Sequence, residues 1–161
     1  MIHIIRILFP TDFSTATDAA RAFAIELARQ FDAELHLLHV MEDLAPRLPE
    51  FGMGLAIPSF VANSASHRQE HEQQAIAQLT AITPDGEDKL RRSVIAVKQG
   101  HTFDQILEYA KSHDVDLIVM GTHGRSGLAH MLLGSVAERV VQHAPCPVLT
   151  VRPQDFKFEM P

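Results

Sequence analysis

The chain has 161 residues, 46% of them hydrophobic and 21% charged, with one Cys and no Trp, which suits one domain large enough to bury a proper core. A formal charge of −6 argues against a general nucleic-acid or anionic-membrane surface, because both need clustered Lys and Arg. The single Cys excludes an intrachain disulfide and a CxxC redox pair, so a reducing compartment is the simpler expectation.

The opening Met1 to Phe9 is apolar but too short and too interrupted for a signal peptide or a membrane span, and the cytoplasm is the expected location. Ile4 to Phe9 reads as a first strand, stopped by Pro10. Pro10-Thr11-Asp12-Phe13-Ser14 is a turn with Ser14 as an N-cap. Ala19, Ala20, Phe23, Ala24, Leu27, Ala28 and Phe31 then fall at helical spacing and predict one buried face. Ala33 to Val40 is a second strand. Met41 to Asn63 holds Pro46, Pro49, Gly52, Gly54 and Pro58 and is expected to be a long loop. Ser64 to Ile82 predicts a polar-faced helix with Ala75, Ile76, Leu79 and Ile82 as its apolar stripe, ended by Thr83-Pro84-Asp85-Gly86.

Arg92 to Lys98 is a third strand, ended by Gly100, and Thr102 to Ser112 a helix buried through Ile106, Leu107 and Ala110. Leu117 to Met120 is a short apolar run that suits a strand buried on both faces. It breaks into a loop with glycines at 121, 124 and 127. Gly134-Ser135 follows, with Ser135 as a candidate N-cap for a helix from Val136 to His143, stopped at Ala144-Pro145. Pro147 to Val151 is a last strand. Strands alternating with helices imply right-handed βαβ crossovers and a parallel sheet covered on both faces, an α/β fold of a single doubly wound domain. No internal repeat is visible; the domain is expected over 1–153, with 154–161 as a tail.

In such sheets ligands bind beyond the carboxyl ends of the strands, where the strand order reverses. Two turns at those ends carry chemistry: Pro10-Thr11-Asp12 and the glycine loop after the fourth strand. Glycines before a helix start let main-chain N–H groups converge on an anion, helped by the helix dipole. If the first and fourth strands are neighbours, a nucleotide fits between, with Asp12 near the ribose or base and phosphates at Gly124, Gly134 and Ser135. Asp12 also suits a plain helix start, and Ser135 a plain cap. GxGxxG is absent from the first turn and GxxxxGK[ST] from the chain, so the lysine of efficient phosphoryl transfer is missing.

The spacing Gly121-x2-Gly124-x9-Gly134-Ser135 is a different pattern. With the opening Ile7 to Ser14, the strand Asp116 to Gly121, Gly134-Ser135-Val136-Ala137 and the finish Ala144 to Val151, it closely resembles the universal stress protein family. The match is to the branch that binds ATP through a G-x2-G-x9-G-[S/T] loop. The resemblance implies a Rossmann-like, five-stranded parallel sheet ordered 3-2-1-4-5. It implies that Pro10, Thr11 and Asp12 line the adenine and ribose side and that Val40 contacts the base. Met120, Gly121, His123, Gly124 and Arg125 would surround the ribose and phosphates, and Gly134, Ser135 and Val136 would hold the phosphates. Members commonly dimerise through the last strand, here Pro147, Val148, Leu149, Thr150 and Val151.

The expectation is therefore an ATP-binding regulatory homodimer in stress adaptation, with Mg or Mn on the triphosphate, slow or no hydrolysis, and an unidentified protein partner. The alternatives are an ATPase or autophosphorylating enzyme using Ser135 or Thr122 as acceptor, and a ligand-free dimeric scaffold. His67 and His71 lie four apart on a helix without HExxH or a third ligand, so a solvated face is expected rather than a metal site. His36 and His39 fall on opposite faces of their strand, with His39 near the crevice. Cys146, between two prolines, reads as a small buried residue rather than a reactive thiol.

Overall fold

The computed structural model describes residues 3–42, 65–84, 90, 92–122 and 133–153, with 65–67 described by backbone alone. Strands β1 (Arg6–Pro10), β2 (Glu34–Met41), β3 (Arg92–Gln99), β4 (Leu117–Gly121) and β5 (Val148–Val151) alternate with helices α1 (Asp18–Phe31), α2 (Ala65–Ile82), α3 (Thr102–Ser112) and α4 (Ser135–His143). A single 3₁₀ turn, Thr15–Thr17, precedes α1. The sheet is parallel and ordered β3-β2-β1-β4-β5. The chain thus builds outward from β1 in one direction and then in the other, and the order reverses between β1 and β4.

One side chain reinforces the main-chain pairing at that junction. Asp116 Oδ2 accepts the main-chain N–H groups of Ile5 at 2.8 Å and Arg6 at 2.9 Å, while its own N–H donates to Arg6 O at 2.9 Å. A carboxylate accepting two main-chain donors locks the register of two strands that are distant in sequence.

Strand alternation sorts the core into two layers. Ile7, Phe9, Leu35, Leu37 and Val119 face α1 and α2, packing on Ala20, Ala24, Ala28 and Leu79. Leu8, Leu38, Val40, Ile118 and Met120 face α3 and α4, packing on Ile106, Tyr109, Ala110, Ala137 and Val140. Each fully buried Ile, Leu or Phe contributes about 1.5–3 kcal/mol relative to exposure, so the two layers dominate the stability.

Several expectations shift. α1 docks through its alanines, whose small side chains let the helix approach the sheet, and Phe23 and Phe31 stand 53% and 43% exposed rather than buried. Ile76, expected in the apolar stripe of α2, is likewise exposed at 42%. On α3 it is Tyr109, not Leu107, that joins Ile106 and Ala110 as fully buried. β2 runs through Met41, and the rest of the expected loop, from 43 onward, lies outside the described residues, as does the tail from 154. Among the described residues no helix is long and apolar enough to cross a membrane.

Candidate functional site

The turn after β1 is built from short polar side chains bonding to nearby main chain. Thr11 N–H donates to Leu38 O at 2.9 Å, which keeps the chain beside β2 for one residue beyond the strand. Thr11 Oγ1 accepts the N–H of Phe13 at 3.0 Å, and Asp12 Oδ1 accepts the N–H of Ser14 at 3.0 Å. Thr17 Oγ1 donates to Ser14 O at 2.8 Å and lies 3.2 Å from Thr11 Oγ1. Thr17 has then used its proton, so Thr11 is the donor of that last contact. Such local bonds favour turns over helix or strand, which is why Thr-Asp-Phe-Ser follows the strand here. Ser14 does cap the 3₁₀ turn by position, without a side-chain capping bond.

Phe13 has φ 63°, the left-handed region that a bulky residue rarely occupies. His39 meets it: the two rings lie 4.4 Å apart, tilted by 32°. His39 Nδ1 lies 2.8 Å from Thr11 O. A carbonyl only accepts, so Nδ1 carries a proton and donates it.

The second wall comes from β4 and α4. Thr122 N–H donates to Val151 O at 3.0 Å, and Gly134 N–H donates to Thr122 O at 2.7 Å. The N-cap of α4 is Gly134, with φ −69° and ψ 153°, and no side chain caps the helix. Ser135 is therefore the first helical residue rather than the cap. Glycine serves there because its main chain takes the extended cap conformation with no side chain over the helix end. Helical geometry leaves the N–H groups of Ser135, Val136 and Ala137 without an i−4 acceptor, and Gly134's own N–H is already committed to Thr122.

These walls enclose a crevice of about 630 Å³ at the carboxyl ends of the strands, within the usual range for small-molecule sites. Of the residues the sequence singles out, Pro10, Thr11, Asp12, Val40, Met120, Gly121, Gly134, Ser135 and Val136 all line it. His123, Gly124 and Arg125 lie outside the described residues. Sequence reasoning left out Phe13 and Ala137, each next to a named site residue, and Glu42 and Thr102 on the far rim; Thr122, named only as an alternative phosphoryl acceptor, lines the crevice as well. Thr102 Oγ1 donates to Glu42 Oε1 at 2.6 Å, and Gly100, at φ 135°, donates its N–H to Met41 O at 3.0 Å, tying the end of β2 to the start of α3. His71 faces this crevice from α2, where solvent alone was expected.

Away from the crevice, His36 Nδ1 lies 2.9 Å from the Tyr109 hydroxyl, and its Nε2 lies 3.6 Å from Glu34 Oε1, too long for a hydrogen bond. Burial lowers the His36 pKa, partly opposed by Glu34 and reinforced by His113, Arg6 and Arg92. Burial also raises the Tyr109 pKa, so the phenol stays protonated and donates to Nδ1. Cys146 is half-buried, and burial, with the Asp116 carboxylate second, pushes its thiol up, as an inert residue would have it. Among the described residues no group of three or more His, Cys, Asp or Glu is placed to hold a metal.

Comparison with known proteins adds to this geometry. The sequence model described as the Universal stress protein family matches residues 4–152. A universal stress protein of Methanocaldococcus jannaschii is 36% identical over 149 residues, covering 91% of this chain and 81% of that one. The solved structure of universal stress protein UspA from Lactobacillus plantarum superposes with a TM-score of 0.66 at 27% identity, covering 93% of this chain and 99% of the other. A universal stress protein solved in complex with cAMP shares the fold at 21% identity and a TM-score of 0.60, with 94% and 99% covered.

Proposed function

The chain belongs to the universal stress protein family, and from that premise we propose that it is an ATP-binding member whose crevice between β1 and β4 holds the nucleotide. The observation that carries the reading is the uncapped start of α4. The N–H groups of Ser135, Val136 and Ala137 lack helical acceptors, and all three residues line the crevice opposite the Asp12 turn. Donors without a helical acceptor at the positive end of a helix dipole suit a phosphate chain. Asp12, across the crevice, suits the ribose hydroxyls, with Pro10, Thr11 and Val40 beside the base. Met120 and Gly121 form the floor, and His123, Gly124 and Arg125 supply the remaining contacts along the phosphates. That a chain of this fold holds cAMP supports an adenine nucleotide as the ligand class.

Binding rather than turnover is the proposed activity, with at most very slow hydrolysis or autophosphorylation. Among the described lining residues none is a lysine, and Asp12 and Glu42 are the carboxylates. Mg or Mn on the triphosphate would offset the charge of ATP against those oxygens. The working unit is a cytoplasmic homodimer of domain 1–153, paired through β5 with Pro147 at its start, whose nucleotide state alters a surface read by a protein partner in stress adaptation. β5 is a sheet edge with Val148, Leu149 and Thr150 only partly covered, which a second copy would bury.

The test is mass spectrometry of the purified protein for a carried nucleotide, followed by calorimetric titration with ATP, ADP and AMP, with and without Mg. Bound adenine nucleotide, or saturable ATP binding, supports the reading. An empty protein that ignores millimolar ATP rejects it.

A further inference from the structure

We propose that His39 is a positioning residue of the crevice: its ring and its Nδ1–H hold the Thr11-Asp12-Phe13 turn in the shape that lines the site. The proposal rests on the nucleotide-binding reading. Phe13 occupies a left-handed conformation, at φ 63°, that an aromatic residue adopts only where its surroundings over-determine it. Two contacts supply that constraint. The Phe13 N–H is bound by Thr11 Oγ1 at 3.0 Å, and the Phe13 ring rests on the His39 imidazole at 4.4 Å.

Thr11, which makes the first of these contacts, is itself fixed by β2 on both sides of its residue. Its N–H reaches Leu38 O, and its carbonyl receives the Nδ1–H of His39 at 2.8 Å. His39 thus acts on the turn twice, once through Thr11 and once through Phe13. Asp12 lies between these anchors, so its position follows from theirs. Both rings and Asp12 line the same crevice. A planar ligand group arriving beside the turn meets a ring surface already in place, and preorganisation of this kind raises affinity by removing an ordering cost.

Two variants separate the two actions. His39→Asn keeps an N–H donor near the Nδ1 position and removes the ring; His39→Phe keeps a ring and removes the donor. Amide hydrogen exchange at Phe13 and Ser14 is measured without ligand, and ATP affinity by calorimetry, with melting temperature as a measure of the fold. The expected result is faster exchange at both amides in both variants, ATP binding weaker by about tenfold in each, and cooperative melting retained. Wild-type exchange in both variants overturns the proposal, and so does faster exchange with unchanged ATP affinity. A wild-type protein that binds no ATP rejects the nucleotide reading instead, and that failure is distinguishable because the exchange at Phe13 and Ser14 is read without ligand.

Discussion

The main-chain N–H of Gly134 lies 2.7 Å from the carbonyl oxygen of Thr122, so the start of α4 is tied to the end of β4. One main-chain bond therefore sets where the α4 donors sit relative to the sheet. Gly134 has φ −69° and ψ 153°, a conformation open to any residue. Gly134→Val accordingly preserves the backbone and places a branched side chain at the crevice wall. ATP affinity is expected to fall at least about tenfold, roughly 1.4 kcal/mol, with the melting temperature nearly unchanged. Titration calorimetry beside a thermal melt reads both; wild-type affinity in this variant counts against the α4 cradle.

Asp12 has a turn bond and a proposed ligand bond, and two substitutions divide them. Its Oδ1 accepts the Ser14 N–H, an acceptor that Asn retains and Ala lacks. Asp12→Asn should stay near wild-type stability and bind ATP about tenfold more weakly, because a neutral amide is a poorer partner for ribose hydroxyls than a carboxylate. Asp12→Ala should lose affinity and also about 1 kcal/mol of stability. Equal urea midpoints for the two variants would show that the turn bond contributes nothing.

The outer edge of β5, which pairs with no further strand among the described residues, allows a clean test of the proposed dimer. Pro147 O accepts from Ile118 and Val151 O from Thr122, so alternate residues of the strand bond to β4 and those between, Val148 and Thr150, direct their N–H and C=O groups outward. Thr150→Pro removes an outward donor and leaves the ladder to β4 intact. Light scattering should report a monomer where the wild type is a dimer, at similar melting temperature. A dimer of undiminished stability would place the interface elsewhere.

His36 makes stability depend on pH. Burial holds its pKa below the ordinary 6.5, so at acid pH the unfolded chain binds the proton more readily than the folded one. Stability is then complete above pH 6.5 and is lost as the pH falls from that value towards the folded-state pKa. Asn at this position offers an acceptor to the Tyr109 hydroxyl without titrating. The stability difference between His36→Asn and wild type should shift in the variant's favour as urea unfolding is repeated from pH 7.5 to about 5. A constant difference across that range would remove His36 as the cause.

The periodicities of the chain carried most of the fold. α3 spans Thr102–Ser112 as its apolar spacing predicts, and the other elements begin or end within a residue or two of the expected limits. Nine of the named crevice residues, Pro10 to Val136, line one space, because Pro, Gly and short polar side chains at strand ends act through local backbone geometry that a sequence displays directly. Less legible were the flanks of helices. Phe23 and Phe31 satisfy the helical repeat yet remain exposed, since Ala20, Ala24 and Ala28 gave α1 a closer seat on the sheet.

What the sequence determined by itself was the list of elements, their parallel arrangement, and the turns that line the crevice, all consequences of short-range sterics and alternating burial. Only the tertiary structure decided that Gly134 rather than Ser135 caps α4, that Ala137 lines the crevice beside Val136, and that His39 bonds the Thr11 turn. Those outcomes depend on contacts between segments far apart in the chain, such as Thr11 with His39, 28 residues away, once bonds such as that of Arg6 with Asp116, 110 residues away, have set the strand order. Spacing along a chain carries no information about such contacts until strand order brings their partners together.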